Sequence, residues 1–156
     1  MPEENAAELK PLDPRFQELV DKTDLFHGLA PADVEKIFSR GLTMYVEKGD
    51  SIFHKKTEGN KMYIVLGGQV GIFDGPVSMA TLGPGETFGE MSLLTGMPRS
   101  ASAIALERSN IFALDEAVFK KLLTKRVAVQ MLLNLSRMMG KRIQEANRTI
   151  RRLEDR

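Results

Sequence analysis

The chain contains no cysteine and no tryptophan, and only two of its 156 residues are histidines. The missing cysteine excludes disulfide frameworks, thiolate metal sites and cysteine nucleophiles. His27 and His54 lie in different predicted elements, so neither a histidine metal centre nor a Ser/His/Asp triad is expected. We therefore expect no metal site, no catalytic residues and no enzymatic activity.

The chain also lacks an excess of either charge and any long apolar run. Lysine and arginine number 22 against 21 aspartate and glutamate, so the net charge of +1 favours neither nucleic acid nor a membrane. No apolar run approaches the roughly 18 residues that span a bilayer. The acidic start "MPEENAAELKPLDP" has no apolar segment of a secretory signal. One domain in the cytoplasm is expected, with residues 1–13 as a flexible lead.

Short strands separated by turns are predicted in the middle of the chain. Turn signals occur at Asp74-Gly75-Pro76, Gly83-Pro84-Gly85 and Arg108-Ser109-Asn110. The spacing of about 8–12 residues between turns, without a βαβ rhythm, is typical of an antiparallel sandwich or barrel. The predicted strands are 42–47, 51–53, 62–67, 69–73, 77–82, 101–107 and 111–114.

Helices are predicted at both ends of the chain. Pro31 near the start and Gly41 past the end bound a helix in "APADVEKIFSRG", and a weaker helical pattern precedes it in "DPRFQELVDKTDLF". After the strands, Asp115 can cap "EAVFKKLL". A long helix is predicted from Arg126 to about Asp155, which separates a domain at 14–125 from a C-terminal element at 126–156.

This last helix carries a heptad pattern. Seven of its eight a and d positions are apolar, which is typical of a coiled-coil seam and predicts a homodimer. The alternative, a helix lying along its own β domain, is expected for its first half. Basic residues from 141 to 156 alternate with acidic ones, which favours a solvated face over a nucleic-acid contact. The a positions are Val129, Ser136, Ile143 and Ile150, and the d positions are Leu132, Met139, Ala146 and Leu153.

The segment "FGEMSLLTGMPRSASA", residues 88–103, carries the strongest chemical signal. Arginine presents paired donors in one plane that suit phosphate oxygens, and the residues around Arg99 are small. Gly89 allows a bend into a short helix whose first N–H groups would face an anion. Glu90 would accept from a hydroxyl of the same ligand. Alternatively, Glu90 and Arg99 form an ordinary salt bridge. The "GPGETFG" run lacks the βαβ setting of a dinucleotide fingerprint.

This segment resembles the phosphate-binding cassette of cyclic nucleotide-binding domains. That pattern reads Phe-Gly-Glu-aliphatic-Ala/Ser-Leu-Leu, then a short turn, then Pro-Arg-x-Ala-Thr/Ser. Further similar segments, "VEKGDSIF", "MYIVLGGQVGIF", "LGPGETFGE" and "LFHGLAPADVEKI", extend the resemblance from about residue 24 to 145. The chain is identified as a member of this family. The matching residues are Phe88, Gly89, Glu90, Met91, Ser92, Leu93, Leu94, Pro98, Arg99, Ala101 and Ser102.

The resemblance implies a fold and a binding site. The fold would be an eight-stranded antiparallel β-roll with N-terminal helices and a long C-terminal helix. Arg99 would pair with the cyclic phosphate, and Glu90 would accept from the ribose 2′-hydroxyl. The implied ligand-binding residues are Phe88, Gly89, Glu90, Met91, Ser92, Arg99, Ser100 and Ala101, with a base pocket at Ile72, Met79, Leu82 and Asn147.

The function implied is that of a regulatory sensor without a cofactor, in which the C-terminal helix is both lid and output. We expect cyclic AMP over cyclic GMP, because Asn147 would accept from the adenine amino group, whereas Ser100 could favour a syn guanine. The alternative is an interaction or dimerisation module that no longer binds a nucleotide. The chain ends at Arg156, which leaves no room for a helix-turn-helix domain of the catabolite activator protein type. The unknown effector would lie on another chain, unless this chain is a fragment.

Overall fold

The computed structural model describes residues 14–122 and 125–156, so the expected lead at 1–13 lies outside the described residues. The helices of that part are Pro14–Lys22 (α1), Pro31–Arg40 (α2), Glu90–Thr95 (α3), Glu116–Leu122 (α4) and Arg126–Glu154 (α5), with a 3₁₀ turn at Asp24–Phe26. The strands are Leu42–Val46 (β1), Ser51–Phe53 (β2), Lys61–Gly67 (β3), Val70–Asp74 (β4), Val77–Leu82 (β5), Thr87–Phe88 (β6), Ser102–Ala105 (β7) and Ser109–Asp115 (β8).

The eight strands form two four-stranded sheets, in the orders β1-β8-β3-β6 and β2-β7-β4-β5. The strand pairs are antiparallel. Together with the flanking helices and the long α5, these two sheets confirm the predicted β-roll.

Two sequence expectations about the strands are wrong. The predicted turn at Arg108-Ser109-Asn110 overlaps β8, because Ser109 and Asn110 already pair with Val46 and Tyr45 of β1. These polar residues are held in the strand by pairing rather than by their own preference. The two-residue strand β6 was not among the predicted strands, and it pairs with Tyr63 and Ile64 of β3.

The alternation of side chains along β8 divides the apolar interior into two clusters. Ile111 and Ala113 face the space between the two sheets, where Val65 and Val70 also lie. Phe112 and Leu114 face the opposite way, toward the helices. Successive side chains of a strand point to opposite faces, so a strand that is buried on both sides reads as a continuous apolar run.

The first half of α5 is built into the helical cluster. Ala128, Met131 and Leu135 are buried there. Asn134 is buried beside them, and its side-chain amide donates to the carbonyl oxygens of Leu25 and His27, both at 2.8 Å. A buried amide with two carbonyl partners fixes the position of this half of the helix.

The second half of α5 is exposed from residue 140 onward. The a-position residues Val129, Ile143 and Ile150 are more than half exposed. By contrast, the d-position residue Leu132 is partly buried and packs against the helical cluster. The predicted a/d seam is therefore exposed at these a positions and at Leu153, whereas its d position Leu132 belongs to the helical cluster. None of the helices in the described ranges is long and apolar enough to cross a membrane.

Candidate ligand-binding site

A cavity of about 720 Å³ opens between the β4–β5 hairpin, the segment around α3 and one face of α5. Every residue that the sequence analysis assigned to the site, except Asn147, lines this cavity. The sequence-predicted lining residues are Ile72, Met79, Leu82, Phe88, Gly89, Glu90, Met91, Ser92, Arg99, Ser100 and Ala101.

Asn147 does not line the cavity. The helix presents a different face to it, and successive helical residues are about 100° apart around the axis. The residues on that face are three or four positions apart, so the sequence shows that they share one side of the helix. Which face meets the cavity is set by the packing of the first half of α5. The α5 residues that line the cavity are Met138, Lys141, Arg142, Glu145, Ala146 and Thr149.

The turn from β6 into α3 depends on Gly89. Its φ of 77° lies in the left-handed region that favours glycine. A Cβ atom at this position would also lie 2.9 Å from Arg99 Nη1 and 3.1 Å from Tyr63 Cδ2. Gly89 therefore permits both the turn and the close approach of the arginine.

Arg99 is 4% exposed, and its guanidinium is held by backbone oxygens. Nη1 donates to the Gly89 carbonyl and Nη2 to the Lys61 carbonyl, both at 2.7 Å. Its Cζ lies 4.1 Å from the centroid of the Phe53 ring. Burial lowers the pKa of Arg99, opposed by the neighbouring Tyr63 and Glu90. The group remains a cation, because arginine is not deprotonated in proteins at ordinary pH.

One donor of Arg99 has no partner among the described residues. Its Nε is buried and meets no hydrogen-bond acceptor within residues 14–122 and 125–156. The cavity therefore contains a fixed cation that still requires an acceptor.

The loop between β2 and β3 shapes the space around Arg99. The backbone N–H of Arg99 donates to the Thr57 carbonyl, and the Arg99 carbonyl accepts from the Lys56 N–H, both at 2.8 Å. A Cβ atom at Gly59 would lie 2.6 Å from Arg99 Nη2 and would collide with Nε and Cζ. Sequence reasoning missed this contact, because residues 59 and 99 are adjacent only in the folded chain.

Glu90 is 3% exposed, and its partner is Arg142 of α5. Arg142 donates through Nη1 to Glu90 Oε1 and through Nη2 to the Thr87 carbonyl at 2.7 Å. The alternative of a Glu90–Arg99 salt bridge is therefore wrong. Arg142 is 44% exposed, as expected for a solvated face, and its guanidinium also lines the cavity.

The arrangement offers a small polar molecule both a cation and a carboxylate. A buried cation and a buried carboxylate line the same cavity, between apolar side chains such as Met79, Leu82 and Met138. Within residues 14–122 and 125–156 there is no cluster of three acidic or histidine residues that would hold a metal ion. An anionic group and a hydroxyl on one ligand match the two charged side chains.

The chain is similar to proteins of a known family. Residues 43–126 match the model of the cyclic nucleotide-binding domain. The chain is 37% identical over 128 residues to the cyclic AMP receptor protein of Thermus thermophilus. This match covers 79% of the chain and 58% of that protein.

Two solved structures share the fold. The catabolite activator protein of Thermus thermophilus superposes with a TM-score of 0.75 at 35% identity, covering 85% of this chain and 63% of that one. A cyclic nucleotide-binding domain from Methylobacillus flagellatus gives a TM-score of 0.77 at 26% identity, covering 91% and 85%. The chain thus spans about three fifths of the Thermus proteins. It belongs to the cyclic nucleotide-binding domain family.

Proposed function

We propose that the chain is a sensor that binds a cyclic nucleotide in the 720 Å³ cavity and prefers cyclic AMP to cyclic GMP. The observation that carries this proposal is the buried Nε of Arg99, which has no acceptor in the described part of the chain. A buried donor without a partner costs about 1–3 kcal/mol. A phosphate oxygen would satisfy it, while the ribose 2′-hydroxyl would donate to Glu90.

The preference for cyclic AMP is supported by the 37% identical relative from Thermus, which is named a cyclic AMP receptor protein. Glu145, rather than Asn147, lines the cavity and offers a carboxylate that can accept from the adenine amino group. Ser100 also lines the cavity and offers a hydroxyl to a guanine. Since one or two hydrogen bonds differ, the preference should be no more than about 1–3 kcal/mol.

We propose further that the chain forms a homodimer through α5 and passes binding to an effector protein by movement of this helix. The support is the exposed apolar stripe on α5, which the described β-roll leaves uncovered. Such stripes are typical of helix–helix interfaces. The proposal keeps the cytoplasmic location expected from the sequence, without contact to membrane or nucleic acid. The stripe consists of Val129, Leu133, Ile143, Ile150 and Leu153.

Isothermal titration calorimetry with cyclic AMP and cyclic GMP tests the ligand. Arg99→Gln should lower the affinity for either ligand at least tenfold, because truncating a buried charged partner costs about 2–5 kcal/mol. Arg108→Gln is the matched control, since Arg108 is exposed and does not line the cavity. A folded wild type that binds neither nucleotide would leave the alternative, an interaction module without a ligand.

Sedimentation equilibrium tests the dimer. Ile150→Glu places a charge in the exposed stripe and should convert a dimer to a monomer, because a charge in an apolar interface loses its hydration. Arg148→Gln changes the charge on the same part of the helix and should leave the dimer intact. A wild type that is monomeric at high concentration would rule out this interface.

A further inference from the structure

The sulfur atoms of this chain all belong to methionine thioethers. The chain has nine methionines and neither cysteine nor tryptophan. A peroxide therefore meets no thiol that would react before the thioethers. Since a thioether reacts only when the peroxide can reach its sulfur, the exposure of each methionine predicts the order in which the methionines are oxidised.

Three of the methionines in the described ranges are exposed, and two of these line the cavity. Met79 is 61% exposed and Met91 is 45% exposed, and both belong to the cavity wall. Met97 is 67% exposed and does not line the cavity. Met62 and Met131 are 0% exposed. The chain therefore contains both an exposed reference outside the cavity and two buried references.

The two cavity methionines come from separate elements of the fold. Met79 has no paired residue in the register of β4 and β5, because the pairing of the two strands shifts there. Such a bulge redirects a side chain relative to the regular strand. Met91 is the second residue of α3 and follows the buried Glu90. The β4–β5 hairpin and α3 thus each contribute one accessible thioether to the cavity.

We propose that Met79 and Met91 form a peroxide-sensitive modification site, and that their oxidation to the sulfoxide lowers the affinity for the nucleotide. The proposal rests on the proposed function, since the nucleotide is the occupant of the cavity. In the reaction the sulfur attacks one oxygen of hydrogen peroxide, so that an S–O bond forms and the O–O bond breaks. The second oxygen leaves as water after it has taken up the proton. The sulfur loses two electrons, and the peroxide gains them.

The loss of affinity follows from the polarity of the product. A thioether is flexible and apolar, whereas a sulfoxide is polar and its oxygen accepts hydrogen bonds. In the ligand-free cavity water can hydrate this oxygen, because both side chains are exposed. A bound nucleotide would displace that water. The adenine amino group, which could donate to the oxygen instead, is assigned to Glu145 in the proposed complex.

Peptide mapping by mass spectrometry, after brief treatment of the full chain with hydrogen peroxide, tests the site. Met79, Met91 and Met97 should be oxidised before Met62 and Met131. Cyclic AMP should slow the oxidation of Met79 and Met91 and leave the rate at Met97 unchanged. Equal rates at Met79 and Met91 with and without cyclic AMP, or equal protection of Met97, would overturn the proposal.

Calorimetry with cyclic AMP before and after the same treatment tests the effect on binding. The affinity of wild type should fall by about 5- to 150-fold, the equivalent of one polar group buried without a partner. Methionine sulfoxide reductases that act on both sulfoxide epimers, supplied with a dithiol, should restore it. Met97→Leu should lose as much affinity as wild type does.

The double variant Met79→Leu/Met91→Leu identifies the responsible residues. Whatever its starting affinity is, peroxide should leave that affinity unchanged. A loss in the double variant, a loss in wild type that the reductases do not reverse, or unchanged or tighter binding by oxidised wild type would each overturn the proposal. If untreated wild type binds no nucleotide, the proposed function fails together with the effect on affinity, whereas the ligand-free peptide map still decides whether Met79 and Met91 are the reactive residues.

Discussion

Replacing Gly59 by alanine should disturb the ligand site, although no residue that would bind the ligand is itself replaced. Gly59 is partly buried, and it lies against the guanidinium of Arg99. A Cβ atom there would lie 2.6 Å from Nη2 and would overlap Nε and Cζ. Contacts this short are not tolerated, so the guanidinium must move away from its carbonyl partners.

The size of the effect follows from what Arg99 would lose. Each of its two hydrogen bonds to a carbonyl is worth about 1.5–3 kcal/mol, because the donor is charged. The contact with the Phe53 ring adds about 0.5–2 kcal/mol. A displaced guanidinium recovers part of this free energy by forming hydrogen bonds to water. We therefore expect Gly59→Ala to lower the free energy of unfolding by about 2–4 kcal/mol.

Urea unfolding and calorimetry with cyclic AMP measure both consequences. The affinity should fall at least tenfold, or about 1.4 kcal/mol, because the phosphate partner has moved. Gly67→Ala is the matched control, since no atom of the described residues lies within 4 Å of an added Cβ there, and its effect should stay within about 0.5 kcal/mol. Wild-type stability and affinity in Gly59→Ala would refute the prediction that a Cβ atom at residue 59 displaces the Arg99 guanidinium.

A double-mutant cycle separates the action through Arg99 from a general loss of stability. In an Arg99→Leu background the guanidinium is absent, so the collision is removed. Gly59→Ala should then cost much less than in wild type, and the coupling energy should be about 0.5–3 kcal/mol. Additive costs would mean that Gly59 acts on another part of the loop.

Three further predictions concern α5 and the cassette. Gly140→Ala should stabilise the chain by about 0.5–1 kcal/mol in urea unfolding, because an added Cβ meets no atom of residues 14–122 and 125–156 and alanine favours the helix; destabilisation would indicate close helix contact there. Asn134→Ala should lower the free energy of unfolding by about 2–4 kcal/mol, because the carbonyl of the buried Leu25 and that of His27 lose their donor, whereas Ser136→Ala at an exposed position should cost little. In calorimetry, Glu90→Gln should weaken the binding of cyclic AMP by about 1–3 kcal/mol, and that of the 2′-deoxy analogue by less. Equal losses for both ligands would contradict the assignment of Glu90 as acceptor of the ribose 2′-hydroxyl.

Local signals in the sequence determined most of the elements. Pro31 and Gly41 mark the two ends of α2, and α2 spans Pro31–Arg40 as expected. The turn signal at Asp74-Gly75-Pro76 joins β4 to β5, with Gly75 at a φ of 58°. Asp115 accepts from the backbone N–H of Ala117 at the start of α4. These features depend on backbone conformations that a few adjacent residues prefer.

The cassette could also be recognised in the sequence, because its residues are contiguous. Residues 88–101 place the buried glutamate, the left-handed glycine and the buried arginine in one short segment. The family match over residues 43–126 agrees with that identification. The sequence alone therefore identifies the two charged residues of the site, although it does not identify the residues that they contact.

The partners were decided by the tertiary structure. Glu90 pairs with Arg142, which is 52 residues away, and Gly59 lies against Arg99 from another loop. On α5 the choice between Asn147 and Glu145 depends on the rotation of the helix about its axis, since two residues differ by about 200°. That rotation is set by the burial of Met131 and Asn134, neither of which lines the cavity. Sequence neighbours determine the backbone locally, whereas long-range packing determines which side chains meet.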